Sequence, residues 1–209
     1  MSKINELIKE LCPNGIEYKK IGDISKYRRG SFPQPYTENK FYGGEGAMPF
    51  VQVADVREDM KLVDQTSKTI SKIAQPKSVF VPKNTVIVTL QGTIGRVAIT
   101  QYDSYIDRTI AIFEGLDNTV LPKYFAYQIQ KKFSIEKENA RGSTIKTITK
   151  EEMTEFEIPV PPIEVQKEIV SILDQFMELQ FKLESNLELR KKQFNFYKNK
   201  ILEMEVSND

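Results

Sequence analysis

The chain has 209 residues, 30 of them Lys or Arg and 29 Asp or Glu, for a formal net charge of +1. That near-balance excludes a polybasic tail-type nucleic-acid binder but leaves room for a basic patch on a neutral whole. Histidine is absent and Cys12 is the single cysteine. Imidazole catalysis, histidine metal ligation, an internal disulfide and a cysteine-cluster zinc site are thereby excluded.

A mean hydropathy of -0.41 with 28% charged and 40% hydrophobic residues reads as a soluble folded chain. No apolar run is long enough to span a bilayer, so no membrane partner is expected. The opening MSKINELIKELCPNG carries Glu6 and Glu10 and lacks the apolar block of a signal peptide. The lone thiol fits a reducing compartment, and a cytoplasmic location is expected. The phosphate-loop, dinucleotide-fold and nucleophile-elbow motifs are all missing from the sequence. Asp55 and Asp59 read as solvated surface rather than a catalytic pair. No cofactor, metal or catalytic residue is expected, and a binding module is favoured over an enzyme.

In chain order, Ile4–Leu11 reads as a short helix stopped by Pro13-Asn14-Gly15. Residues 27–48, rich in glycine and aromatics, read as a long irregular loop of the kind that carries function. Strands are expected at Pro49–Val53, Ser78–Val81, Thr85–Leu90, Ile94–Thr100 and Arg108–Phe113, short and rich in Val, Ile and Thr. A helix is expected over Pro122–Phe133, where Leu121, Phe125, Ile129 and Phe133 recur every four residues. Thr149 and Glu152 have capping-box spacing for a short helix, and Phe156–Val160 reads as a last strand. Cys12 is expected as a small buried residue, Tyr102 and Tyr105 as core or rim, and Arg108 as an ion-pair partner of Asp107.

Composition then shifts. Residues 1–158 carry 23 basic and 20 acidic side chains and all ten glycines; residues 159–209 carry seven and nine, and no glycine. The expected fold class is a mixed α+β globular domain over 1–158, followed by one long coiled-coil-type α-helix over 159–209. Pro161-Pro162 sets the helix start. The positions Ile169, Ile172, Phe176, Leu179, Leu183, Leu187, Arg190, Phe194, Tyr197, Ile201 and Met204 recur at alternating three and four. That is a heptad seam with one stutter at Leu183–Leu187 and one charge, Arg190. The helix would be about 60 Å long. A domain of this size, with a radius of gyration of about 15 Å, cannot cover it. The seam is therefore read as a dimer or subunit interface, formed by Ile169, Ile172, Phe176, Leu179, Leu183, Leu187, Phe194, Tyr197 and Ile201. A helix bent back on its own domain is the other reading.

The segment IPVPPIEVQKEIVSILDQF (158–176) resembles the boundary in specificity subunits of type I restriction–modification enzymes, where a target-recognition domain passes into a long helix. LCPNGIEYKKIGDI (11–24), VTLQGTIGRVAI (88–99), ARGSTIKTITKEEM (140–153) and FNFYKNKIL (194–202) are similar to further segments of that family, in the same order. Residues 27–80 match nothing in particular, as expected where such domains differ in target. Family members commonly carry two recognition domains and two helices, and here there is one of each. The reading is a complete half-subunit, with a split gene product or a fragment as alternatives.

The resemblance implies a DNA-sequence-specificity subunit without chemistry of its own. Its partners would be double-stranded DNA, a methyltransferase (modification) subunit that binds S-adenosylmethionine, and a restriction/translocase subunit. A half-subunit would homodimerise through antiparallel helices and read a split palindromic site. Side chains of the type that reads bases and phosphates fall in three clusters: Arg28, Arg29, Ser31, Gln34 and Tyr36; Gln91, Thr93 and Arg96; and Arg141, Ser143, Thr144 and Lys146. Arg190-Lys191-Lys192 is a further basic run, read as a solvated helix face. The competing readings are an adaptor or inhibitor that engages the modification subunit through its helix without reading DNA, and a carboxylate–metal nuclease.

Overall fold

The computed structural model describes residues 3–139 and 148–203. They divide into two compact units, one running through Glu168 and the other beginning at Ile169. The fold is mixed α+β with a long C-terminal helix, as the sequence predicts.

The first unit opens with α1 (Lys3–Leu11), and Gly15 closes the following turn at φ +93°, donating its N–H to the Cys12 carbonyl at 3.0 Å. A short strand β1 (Tyr18–Lys20) leads into the one-turn helix α2 (Ile21–Ile24) and strand β2 (Lys26–Arg29). Strands β3 (Met48–Val51), β4 (Lys68–Ile70), β5 (Val79–Val81), β6 (Val86–Thr89), β7 (Val97–Ile99), β8 (Ser104–Ile106) and β9 (Ile110–Glu114) follow. Then come α3 (Pro122–Asn139), α4 (Lys150–Thr154), β10 (Glu157–Pro159) and α5 (Ile163–Glu203).

Among the described residues, ten strands make three sheets. One is antiparallel in the order β2-β9-β6-β7, and one is mixed in the order β4-β3-β8-β5 with β3 and β8 parallel. The third pairs β1 with β10. Val51, Val81 and Ile106 from the mixed sheet meet Ile87, Ala98, Ile110 and Ile112 from the antiparallel one in a single buried cluster. Every residue of β6 is buried, which explains its unbroken apolar run as a central strand. Phe125, Ile129 and Phe133 of α3 are fully buried, and Phe113 meets Phe125 edge-on with centroids 5.1 Å apart. Their spacing of four puts them on one helix face.

Several expectations need correction. Residues 26–29 form strand β2, so Arg28 and Arg29 sit on a strand and not in the loop; only Tyr27 of the four is buried. A basic edge strand carries no β-branched signal. The strand expected over Ile94–Thr100 is confined to Val97–Ile99, because Gly95 takes φ +81° in the hairpin turn. Helix α3 runs past Phe133 to Asn139. Cys12 is half-buried rather than buried. Asp55 is buried, not solvated: its carboxylate accepts from the Gln52 N–H at 2.8 Å and the Ser67 N–H at 2.9 Å. Asp59 pairs with Arg57 at 2.9 Å. The Thr149–Glu152 capping box forms as expected, with Glu152 N–H on the Thr149 hydroxyl at 3.1 Å.

The first turn of α5 belongs to the first unit. Val165 and Gln166 are fully buried there. The Gln166 amide accepts from the Leu121 N–H at 2.9 Å and donates to the Thr119 and Pro161 carbonyls, each at 2.8 Å. It thereby locks the helix start to the loop that launches α3. In the second unit Phe176, Leu179, Leu183, Leu187, Phe194, Tyr197 and Ile201 are exposed, Phe176 at 66%. Gln166→Leu keeps the volume but strands one buried N–H and two carbonyls. Urea unfolding is expected to show a loss of about 3 kcal/mol, and an unchanged midpoint would show that these groups find other partners.

Candidate nucleic-acid interface

Gly30 follows β2 where the chain must pass close to another segment. A Cβ there would fall inside the carbonyl oxygens of Ile106 and Asp107. The Gly30 N–H donates to the Ile110 carbonyl at 3.0 Å and the Ser31 N–H to that of Ile106 at 2.9 Å. This seats the 30–47 segment against the β8–β9 turn. Phe32 and Tyr36 then pack edge-on at 4.6 Å, and Tyr36 meets Tyr42 at 5.9 Å. Gln52 donates its side-chain amide to the Tyr36 hydroxyl, and Tyr42 donates its hydroxyl to the Tyr36 carbonyl at 2.8 Å. Lys68 Nζ lies 4.8 Å from the centroids of both Tyr36 and Tyr42. Burial pushes the Tyr42 phenol up to about 12, helped by Tyr36 and by Asp107. Burial, with Asp107, also raises Tyr36. Both are neutral hydrogen-bonding groups at physiological pH.

These residues wall a cleft of about 430 Å³ lined by Phe32, Tyr36, Gln52, Val53, Ala54, Asp107, Arg108 and Thr109. Asp107 does not pair with Arg108. It caps its own turn, accepting from the Thr109 N–H at 2.9 Å and the Thr109 hydroxyl at 2.6 Å. The Arg108 guanidinium lies over the Phe32 ring, 4.7 Å from its centroid. This corrects the ion pair expected from their adjacency. The ring contact helps to place the guanidinium, and among the described residues no carboxylate pairs with it.

The tip of the β6–β7 hairpin adjoins the cleft. Gly92 approaches Val53, and the Leu90 N–H donates to the Thr109 carbonyl at 2.8 Å. Exposed Gln91 and Thr93 flank that tip. Of the residues expected to contact DNA, Tyr36 lines the cleft itself, together with Gln52 and with Arg108, which was expected only as an ion-pair partner; Gln91 and Thr93 flank the hairpin tip that reaches Val53. Gln34 is exposed on the same segment as Tyr36. Arg28 approaches Glu114 at 3.5 Å, and Arg29 is exposed beside it. Arg96 is engaged with Glu58 at 2.6 Å and the Val56 carbonyl at 3.4 Å, which holds the hairpin to the 56–58 loop. Ser31 donates its hydroxyl to the Lys77 carbonyl at 3.2 Å. Arg141, Ser143, Thr144 and Lys146 lie outside the described residues. Among the described residues no group of three His, Cys, Asp or Glu is placed to hold a metal ion, and no helix is long and apolar enough to cross a membrane.

The fold and this opening define a module that presents polar and aromatic loops on a β scaffold, followed in the chain by a long helix. The chain belongs to the family described as type I restriction modification DNA specificity domain, whose model matches residues 13–201. It is 24% identical to the Escherichia coli type I restriction enzyme EcoprrI specificity subunit, over 97% of this chain and 53% of that one. It is 25% identical to the Escherichia coli EcoR124I/EcoR124II specificity subunit, over 88% and 47%. The chain thus spans about half the length of the curated relatives it matches. In fold it is similar to the HsdS subunit from Thermoanaerobacter tengcongensis, with a TM-score of 0.60 and 21% identity over 85% of this chain and 42% of that one. A chain solved in work on assembly and conformational transition of the type I R-M system gives a TM-score of 0.72 at 20% identity, over 96% and 49%.

Gly30→Ala tests the close approach on which the cleft rests. The added methyl must push the chain off the Ile106 and Asp107 carbonyls, and urea unfolding is expected to show a loss of about 2 kcal/mol. A variant as stable as the parent would mean that the 30–47 segment is not seated against the β8–β9 turn.

Proposed function

We propose that this chain is the DNA-sequence-specificity component of a type I restriction–modification complex and performs no chemistry itself. The first unit reads one half-site of double-stranded DNA. Separate methyltransferase and restriction/translocase subunits supply modification and cleavage. The chain acts in the cytoplasm as a homodimer whose two recognition domains, 1–158, read a split palindromic site, with the 159–209 helices as the spacer. The observation that carries this reading is the family match, which runs from residue 13 through the sheets and on into the helix to residue 201.

The cleft supports it. Arg108, placed against Phe32, is proposed to meet a base edge, with Tyr36 of the same cleft and with Gln91, Thr93, Ser31 and Gln34 as further polar contacts. Arg28 and Arg29 on the edge strand suit phosphates, and Arg96 fixes the hairpin tip. Arg141, Ser143, Thr144 and Lys146, which lie outside the described residues, are proposed as further DNA contacts by side-chain type alone. Exposed Leu189 and Phe196 lie off the seam, seven residues apart, and are surface available to the modification subunit.

Selection from a randomised duplex library, with the complex assembled, tests the reading. Arg108→Ala is expected to relax the preference at one base pair by about 1–3 kcal/mol. Arg28→Ala is expected to weaken binding uniformly and to reduce its salt dependence. A complex that binds every duplex alike would favour an adaptor instead. Inserting seven residues into the helix of both copies lengthens it by about 10 Å. The selected spacer is then expected to grow by about three base pairs, at roughly 3.4 Å each. An unchanged spacer would remove the helix from that role.

A further inference from the structure

The exposed seam of α5 is a palindrome in spacing. Helix α5 runs from Ile163 to Glu203, so its middle residue is Leu183. Counting outward from Leu183, seam residues occur at four positions on each side: Leu179 and Leu187, Phe176 and Arg190, Ile172 and Phe194, Ile169 and Tyr197. The stutter at Leu183–Leu187 is what makes the two directions identical. An unbroken heptad would step four and then three on one side and three and then four on the other.

We infer that the occupant of this seam is the α5 helix of a second copy of this chain, antiparallel, with the two-fold axis at Leu183. Leu183 meets itself, Leu179 meets Leu187 of the other copy, and Phe176 meets Arg190. This rests on the homodimer reading above and fixes its register. Arg190, which donates to the Gln193 side-chain oxygen at 3.0 Å within its own helix, also meets an aromatic in this register: its guanidinium faces the ring of Phe176, which is 66% exposed in the single chain. The flanks agree as well. Across the axis Lys182 faces Glu184 of the other copy. Farther out, Glu168, which also pairs with Lys3 at 2.6 Å, faces Lys198.

The competing antiparallel register slides the pair until the axis falls between Asn186 and Leu187. It keeps most apolar layers but sets Arg190 against Leu183, leaving the guanidinium against an aliphatic chain. It also sets Lys182 against Lys191 of the other copy; each pairs with a glutamate of its own helix, Glu178 at 2.6 Å and Glu188 at 2.9 Å, so this flank gains no charge pair, where the Leu183 axis sets Lys182 against Glu184. Charge and the Arg190 contact therefore select the Leu183 axis.

Cysteine cross-linking reads the axis directly, since a disulfide needs Cα atoms about 4.4–6.8 Å apart. In a Cys12→Ser background, Leu183→Cys is expected to give a covalent dimer with oxidised glutathione. Leu179→Cys and Leu187→Cys are each expected to give none alone, and a covalent dimer when mixed. All three sites are exposed in the single chain, and circular dichroism of each variant confirms folding before oxidation. A Leu187→Cys dimer without a Leu183→Cys dimer would move the axis and overturn the register while sparing the homodimer. Self-linking at all three sites would mean parallel helices and overturn it too, as would a dimeric mass with no link at any site. A light-scattering mass of 24.1 kDa at every concentration, in place of twice that value, would overturn the homodimer itself.

Discussion

A single buried amide governs where the sheet-bearing part of this chain becomes a helix. Gln166 sits one turn into α5 with no exposed surface. Its three hydrogen bonds reach the Leu121 N–H and the Thr119 and Pro161 carbonyls. A buried polar group without partners is costly, so this one tolerates a single arrangement of the proline turn and of the loop that begins α3. Around it, Tyr124 donates its hydroxyl to the Pro159 carbonyl at 2.9 Å, and β10 pairs with β1. The placement of the first turn of α5 within the first unit therefore depends on hydrogen bonds as well as apolar contact.

The cleft depends on a second constraint of the same kind. Two backbone segments meet at Gly30 with no room for a side chain. Asp107 is spent on its own turn through Thr109. Its carboxylate therefore does not claim Arg108, whose guanidinium rests on Phe32. A ring takes up none of the guanidinium's N–H donors, whereas a carboxylate does. The geometry thus keeps a charged fork ordered and still available, which is what recognition of a flat acceptor edge requires.

The elements that were legible in the sequence are those whose signal is local. The glycine-free stretch after Pro162 announces α5, the Thr149–Glu152 pair announces α4, and the run Thr85-Val86-Ile87-Val88 announces a central strand. Lys26–Arg29 was not legible because an edge strand with one buried side chain has neither the alternation nor the β-branched content of a half-buried one. The cleft was legible only in Tyr36 and its polar neighbours. Gln52 and Arg108 join it through contacts with residues distant in the chain, and Asp107 beside Arg108 invited the wrong pairing. Adjacency in sequence is weak evidence for an ion pair when a turn threonine competes for the same carboxylate.

The stutter in α5 acquires a physical reason from the pairing inferred for it. A seam of unbroken heptads is satisfied again after every shift of seven residues, so it specifies partners better than it specifies register. Each such shift would move two recognition units by about 10 Å relative to each other. On DNA that is the difference between one spacer and another. Interrupting the repeat at mid-helix reduces this degeneracy: a slide of seven keeps most apolar layers but sets Leu187 opposite Asn186, off the seam. A polar or charged residue inside the seam sharpens the choice further, at some cost in pairing strength. Arg190 is such a residue: it bonds Gln193 of its own helix at 3.0 Å and, in the register inferred, gains an aromatic opposite. The spacer role proposed for α5 thus calls for an irregular seam, since a spacer must fix a distance and not merely hold two copies together.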